Sequence, residues 1–569
     1  SGATFIYLAI GDDEIGSDED CLVDVPNAVT ADANATDTTG AYQRGNYATM
    51  NPLALASSGG TLSNGNLEGT IPVSKTHHAT IAIPASGKYY FEAEMTNSGI
   101  LNLGLAAHKP DGHIYQNSNS VLYSTSGVKN VDGVTDQSYG ATWSTGDVIS
   151  VACDADAGTI TFYKNGVSQG ALTHQIAGLL PSFGNGYAAT NYKVNFGQMR
   201  FKYPIPTGYS TLNTTALPPA TIADGSAHFN VKKWTGTGSS QAITGYGFSP
   251  DLVWIKSRSN TASHAWVDTV RGSSKVLRSD NNTAETNNTS VWTSFDTDGF
   301  TLGVDNNNGW TNWNNWTYVG WGWDAGTTTD TNNTNGTITP AGVRANTAAG
   351  FSIVKWTGNG TAGATVGHGL NAAPELIIFK RTSATENWNS YHSSLGASKL
   401  FALNSTNASS STNDFNNTAP TNTVFSLGSG SGNNTNGSDY IAYCFTSIAG
   451  YSSIGSYEAT GTAPVHVYTG FSPAFVLIKD ADSGGTNWLA FDSTRDTDNV
   501  AKRFIRANVS GEEIDNQEAN GSIDFLSNGF AVRASGSSNQ NTTINVPNST
   551  TTYIAFAKHP FQANGGLAR

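Results

Sequence analysis

Charge is what this sequence has least of. Only 13% of its residues are Asp, Glu, Lys or Arg, about half the share of roughly 25% in an ordinary globular protein. The 29 basic residues are outnumbered by 43 acidic ones, for a formal net charge of -14. That balance argues against a phosphate-binding surface, so nucleic acid is excluded as a partner, and an anionic membrane would repel the chain. Cysteine is equally scarce. Cys21, Cys153 and Cys444 are far apart and odd in number, which fits neither a disulfide framework nor a metal knuckle and leaves buried thiols as the expectation. No apolar run approaches the ~18 residues of a membrane-crossing helix, and no segment sustains a 3.6-residue apolar period.

Glycine, asparagine, serine and threonine are abundant instead; they break helices and suit turns and strand faces. The 569 residues are enough for about three to five domains. Three stretches share an order of features: FNVKKWTGTG at 229–238, FSIVKWTGNG at 351–360 and the weaker YSSIGSYEATGT at 451–462. Each is followed by an apolar strand ending in lysine, at Lys256, Lys380 and Lys479, then by a tryptophan in a polar setting, Trp266, Trp388 and Trp488. Each closes on an aromatic-led strand: TYVGWGW at 317–323, DYIAYCF at 439–445 and TYIAFAK at 552–558. A unit of a hundred residues or slightly more exceeds the usual solenoid periods, so each copy is expected to be a whole domain. Short runs rich in Val, Ile, Phe, Tyr and Trp between Gly, Asn and Pro clusters predict antiparallel β-sandwiches. The expected boundaries are 226–327, 348–448 and 451–562, with a tail over 563–569.

A different module precedes the repeats, over 27–210. Its clearest part, 146–166, places two alternating strands about a DADAG turn and ends in Lys164-Asn165-Gly166, a turn that needs positive φ. With SGKYYFEAEM at 86–95, NLGLA at 102–106, YGATWSTGDVI at 139–149, LLPSFG at 179–184 and VNFGQ at 194–198, this module resembles a SPRY domain. The resemblance implies a bent β-sandwich that binds partners through variable loops, with no catalytic residue to carry over. The fold class expected for the whole chain is therefore all-β: one SPRY-like sandwich followed by three related β-sandwich repeats.

The SPRY-like module, the WTGTG…GFSPDLVWIKSR…YVGWGW repeats and the closing FAKHPF…AR end together resemble virion proteins of tailed bacteriophages, particularly of marine and cyanobacterial hosts. That resemblance implies a tail fibre or spike-type appendage on the virion surface. Its partners would be other virion proteins, copies of itself in a homotrimer, and a glycan or protein on a bacterial surface. A bacterial cell-surface or matrix adhesin is the alternative, and a polysaccharide-degrading tail spike is a third.

Signals for chemistry are few. Asp154-Ala-Asp156-Ala-Gly158 begins like a calcium loop, but Asn165 occupies the twelfth place, where the bidentate glutamate belongs. Asp296-Thr-Asp298-Gly299 reads as a hairpin turn, and the acidic cluster Asp12, Asp13, Glu14, Asp18, Glu19 and Asp20 as a solvated linker, with calcium held by its carboxylate oxygens as the alternative. His77-His78 lacks a third ligand at useful spacing. H-E-x-x-H is absent, and G-x-S-x-G occurs once, at Gly166-Val167-Ser168-Gln169-Gly170, directly after a hairpin turn and not as a strand-to-helix elbow. The expectation is accordingly a non-enzyme with no catalytic residue, no metal and no cofactor.

One stretch points to binding. Within 306–316, Trp310, Trp313 and Trp316 recur every third residue among asparagines, a composition suited to stacking on sugar faces while amides bond hydroxyls. The alternative is that these rings cover the end of the first repeat's sandwich. Finally, SGATFIYLAI opens the chain with an apolar run. Phe5-Ile6-Tyr7-Leu8-Ala9 matches Tyr318–Gly322, Tyr440–Cys444 and Tyr553–Ala557. Residues 1–26 are thus expected to be the closing strand of an earlier repeat plus an acidic linker. That strand would pair with a sheet edge of the missing repeat, of a neighbouring subunit or of the SPRY-like module; its being simply the first strand of the SPRY-like sandwich is the alternative.

Overall fold

The computed structural model describes residues 46–560 apart from 56–59, 109–112, 118, 186–187, 306–307, 462–463, 516–520 and 534–543. The opening run, the acidic cluster, Cys21 and the tail lie outside the described residues. Among those described, the fold is all-β: antiparallel sheets joined by turns, with four three-residue 3-10 turns and no α-helix. The chain divides after Pro219 into two units.

The first unit is a sandwich of two sheets, antiparallel except where the short strand Ser210–Thr211 pairs parallel with Lys88–Met95. One runs Thr61–Ser63, Glu68–Ile71, Thr190–Asn195, Lys88–Met95, Val148–Asp154, Thr159–Lys164, Val167–Thr173; the other runs Thr76–His78, Leu180–Gly184, Asn102–Ala106, Ser120–Ser124, Val128–Val131, Val134–Ser138. Period-2 alternation puts Tyr89, Phe91, Ala93 and Met95 of one central strand, and Ile149, Val151 and Cys153 of its neighbour, into the core between the sheets. The reverse face of Lys88–Met95 is also covered. Glu92 there accepts the Lys202 and Tyr203 N–H groups at 2.8 and 2.9 Å and the Tyr90 hydroxyl at 3.0 Å. The Asn165-Gly166 turn has φ of 49° and 80°, as its composition predicts.

The second unit, 220–560, contains the three repeats. Each builds one large sheet whose central strands are ordered alike. In the first repeat they are Phe229–Thr235, Thr317–Trp323, Leu252–Ser257 and Ala265–Asp268. In the second they are Phe351–Thr357, Asp439–Phe445, Leu376–Arg381 and Trp388–His392, and in the third Ser452–Ala459, Ser549–Pro560, Phe471–Asp480 and Leu489–Asp492. A smaller sheet packs on one face of each: Gln241–Thr244 with Gly299–Leu302 and Ser294–Asp296, Thr365–Gly367 with Val424–Ser426, and Val465–Tyr468 with Gly529–Val532 and Ile523–Leu526.

The expectation of three self-contained domains gives way here, because the large sheets bury both faces. Alternate residues of each lysine-ended strand point into the repeat's own sandwich, as do Val253 and Ile255, Ile377 and Phe379, and Val476 and Ile478. The residues between them, Leu252 and Trp254, Leu376 and Ile378, and Phe475 and Leu477, all enter one apolar core common to the three repeats. Aromatic rings meet in its middle. Phe229 stacks on Phe556 at 4.9 Å, Trp323 lies 6.4 Å from Phe445, and Phe445 lies 5.9 Å from Phe556.

The junctions between repeats close into a ring. Backbone N–H groups of Glu285 and Glu386 donate to the carbonyls of Thr382 and Asn282 between repeats one and two. Ser409 and Gly485 donate to Ala481 and Thr406 between two and three, and Glu513 and Ala262 to Arg258 and Ser510 between three and one. The same two loops are used each time, so the contact is head-to-tail and its rotation closes.

Strand pairing also corrects two sequence alignments. Lys256, Lys380 and Lys479 lie opposite Val319, Ile441 and Thr552. The third closing strand is therefore offset by two residues from its sequence alignment: Tyr553 corresponds to Gly320, not to Tyr318. Likewise Leu252, Leu376 and Phe475 pair with Asp268, His392 and Asp492. Trp388 and Trp488, four residues before those partners, correspond to His264 and not to Trp266. Their roles agree: the Trp388 and Trp488 indoles donate to the Arg278 and Ala402 carbonyls of the neighbouring repeat at 2.8 and 3.2 Å, and His264 Nε2 meets the Val509 carbonyl at 3.1 Å.

Candidate binding site

The hydrogen bonds that fix the turn holding Trp313 and Trp316 use backbone groups and side chains other than the two indoles. Asn312 accepts the Thr237 N–H through its side-chain oxygen at 2.9 Å and donates to the carbonyls of Ser239 and Gly303. The buried carboxylate of Asp305 gathers the N–H groups of Asn308, Gly309, Thr311 and Asn312. Tyr318 donates its hydroxyl to Gly309 O and accepts Trp313 N–H. Asn315 takes φ of 64°, a left-handed conformation that Asn tolerates.

The three predicted tryptophans do not form one surface. Trp310 is buried at 8% exposure inside the first sandwich, with the Arg278 guanidinium 5.1 Å from its ring centroid. Trp313 and Trp316 are half-buried at the rim, 5.4 Å apart and tilted by 32°. Gly309 lies beneath Trp316 so closely that a Cβ there would come within 2.2 Å of the ring. Asn308, Asn314 and Asn315 are exposed around the pair.

Other candidates resolve into structural roles. Asp154 accepts the Ala157 N–H and pairs with Lys88 at 2.7 Å, and Asp156 accepts the Gly87 N–H, so DADAG is a hairpin turn. Asp298 clamps the N–H groups of Gly245 and Gly247. His77 and His78 point to opposite faces of their strand, His77 to Tyr192 OH at 2.9 Å and His78 to Ser182 Oγ at 2.7 Å. Burial pushes His77 down to about 4. Cys153 and Cys444 are buried free thiols, and burial raises Cys444 to about 12. Among the described residues no group of three or more His, Cys, Asp or Glu is placed to hold a metal.

Sequence reading missed the ionisable groups of the ring. Asp268 pairs with Arg271 and Asp492 with Arg495, each at 2.5 Å and essentially without exposure. Each aspartate also accepts from the neighbouring repeat: Asp268 from the Tyr443 hydroxyl at 2.8 Å, and Asp492 from the Trp321 indole at 3.1 Å. In the second repeat the corresponding residues are His392 and Leu395, and the neighbour's corresponding residue is Ile554, which has nothing to donate. The repeated D-x-x-R spacing at 268–271 and 492–495 was the available signal. The strand-ending lysines are buried as well. Lys256 donates to Ser257 O, Lys380 to Arg381 O and Lys479 to Thr486 O, and burial lowers all three to about 8.

A family model described as a domain of unknown function, DUF7483, matches residues 224–560, more than half of the chain. The protein belongs to the DUF7483 family. The match takes in the three repeats as a single domain, in agreement with their common core. Ahead of the DUF7483 ring, residues 88–199 match the SPRY domain model. The E3 ubiquitin-protein ligase RKP of Arabidopsis thaliana is 33% identical over 129 residues, covering 21% of this chain and 10% of the ligase. The chain thus spans about a tenth of the length of that curated relative. Among solved structures, the SPRY domain of human HERC1 is 18% identical, with 26% of this chain and 99% of that domain covered and a TM-score of 0.23. Stonustoxin is 20% identical, with 26% of this chain and 27% of the toxin covered at the same TM-score.

Proposed function

We propose that this protein is a non-enzymatic attachment protein, a tail fibre or spike-type appendage of a tailed-bacteriophage virion. In this reading the DUF7483 ring is a stiff body, and the loops of the SPRY domain and of the ring's rim meet a glycan or protein on a bacterial surface. The observation that carries the reading is how the ring uses its reactive side chains. Asp268, Arg271, Asp492, Arg495 and the buried lysines are engaged in holding strands, loops and junctions together, whereas the exposed turns are rich in amides and hydroxyls. Such a surface suits neutral, hydroxyl-bearing ligands better than charged ones. The resemblance of the module order to virion proteins supports the location, and three chains assembled into a homotrimer belong to the same reading.

The test is competition and labelling. Purified full-length protein should block adsorption of the parent phage to its host, and gold-labelled antibody against it should decorate the particle's appendages. Undiminished adsorption at saturating protein, with unlabelled particles, overturns the proposal.

A further inference from the structure

The ring contains its own controls for the tryptophan turn. Tyr318 and Tyr440 hold residues 313 and 435 by the same hydroxyl-to-backbone bond, so Asn312-Trp313-Asn314-Asn315-Trp316 corresponds to Asn434-Thr435-Asn436-Gly437-Ser438. Strand register places Asn545-Val546-Pro547-Asn548-Ser549 at the same position in the third repeat. The anchor is common to all: Asn312, Asn434 and Asn545 each accept N–H groups from the turn after the first strand. The left-handed residue is common too, with φ of 64° at Asn315, 72° at Gly437 and 59° at Asn548. What differs is the pair of side chains at 313 and 316 and their counterparts: the two tryptophans lie half-buried against the first sandwich's core, whereas Ser438 and Ser549 are buried and hydrogen-bonded to Arg381 and Asp480. These positions carry Trp and Trp in the first repeat, Thr and Ser in the second, and Val and Ser in the third. Two of three copies make this turn without an aromatic ring, so its geometry does not call for indoles.

We infer that Trp313 and Trp316 form a stacking site for the apolar face of a neutral hexopyranose. Among the described residues neither indole N–H has a hydrogen-bond partner, and the exposed side-chain amides of Asn308, Asn314 and Asn315 are equally uncommitted. Together they supply donors and acceptors at the edge of an aromatic surface. Residues 306–317 contain no charged side chain, which matches a neutral sugar and offers no counter-charge to an anionic ligand. Trp310, turned into the sandwich beneath Arg278, takes no part. The site deepens the attachment reading and rests on it.

The test uses the full chain and its variant W313T/W316S, which copies the second repeat's turn and should fold with an unchanged melting temperature. Saturation-transfer NMR with methyl β-galactoside and methyl β-glucoside should show transfer to ring C–H protons in the parent protein. In the variant, affinity should fall by about tenfold, as expected for two lost aromatic contacts, and W313F/W316F should recover part of it. No transfer in the parent protein, transfer unchanged in W313T/W316S, or a variant melting more than about 5 °C lower overturns the inference, the last by showing that the rings serve packing. Adsorption of the parent protein to host cells without sugar binding refutes this site alone. Sugar binding without adsorption refutes the attachment reading and leaves the site standing.

Discussion

Replacing Arg495 by leucine should damage the ring more than replacing its whole ion pair. The Asp492 and Arg495 side chains have 0% exposure and meet at 2.5 Å. Arg495 also bonds Glu513 at 3.1 Å and the Ala490 carbonyl at 2.8 Å. R495L leaves the Asp492 carboxylate buried without its cation, a loss of about 3–5 kcal/mol. The double variant D492H/R495L imports the second repeat's pair, His392 and Leu395, and buries no unpaired charge. Its histidine can still serve the backbone, since His392 Nδ1 accepts the Ser394 N–H at 3.2 Å where Asp492 accepts the Thr494 N–H at the same distance. The double variant should therefore recover roughly half of the loss, a coupling of about 2 kcal/mol. For a unit of this size, 4 kcal/mol corresponds to a fall in melting temperature of about 5 °C. Tryptophan fluorescence is a suitable readout, because of the protein's 13 tryptophans only Trp143 lies outside the ring. If R495L costs under about 1 kcal/mol, or the double variant is no more stable than the single, the desolvated-charge argument is wrong.

The buried lysines set an alkaline dependence. Their protons are held more weakly folded, at about 8, than unfolded, near 10.5, so unfolding takes up protons in that window and stability should rise with pH across it. Melting at pH 7.5 and pH 9.5 should show the rise, and K380M should reduce it by about a third, as one of three such lysines; a steady fall in both proteins refutes the assignment. On the acid side, His264, His368, His392 and His466 are each lowered by burial to about 4. Stability should drop as pH falls from about 6.5 toward 4, which acid titration of the fluorescence would reveal as unfolding beginning in that range. Gly322 faces Tyr246, whose ring a Cβ would approach to 2.5 Å. G322A should cost about 1–3 kcal/mol, and Y246L/G322A, which introduces the second repeat's Leu370, should restore most of it in a urea melt.

Period and composition carried much of this fold into view from the sequence. The repeats, the sandwich class and the Asn165-Gly166 and Asp298-Gly299 turns follow from short apolar runs and positive-φ residues. What was lost follows from the same period. A shift of two residues returns every strand side chain to its own face, so aligning Tyr553 with Tyr318 satisfies the pattern as well as the true pairing with Gly320 does. Only the hydrogen-bonded partners distinguish them. The shared core was also written in the chain: strands such as LVWIK and LIIFK are continuously apolar, as strands buried on both faces are. A single sequence does not say what covers the second face. The ring's ion pairs were hidden because partners such as Trp321 and Asp492 are separated by 171 positions. At the candidate site, Trp313 and Trp316 were legible as a pair, whereas Trp310 continued their spacing but turned inward.

Three copies joined in one polypeptide differ physically from three identical chains. A ring of separate subunits comes apart on dilution, whereas here the partners remain covalently tethered, so its cohesion does not depend on protein concentration. Symmetry constrains a homotrimer further, since any substitution appears three times. In this ring one corner can change while two stay plain. A ligand site on the first repeat alone gives one site per chain, so strong adhesion would come from the number of chains displayed together.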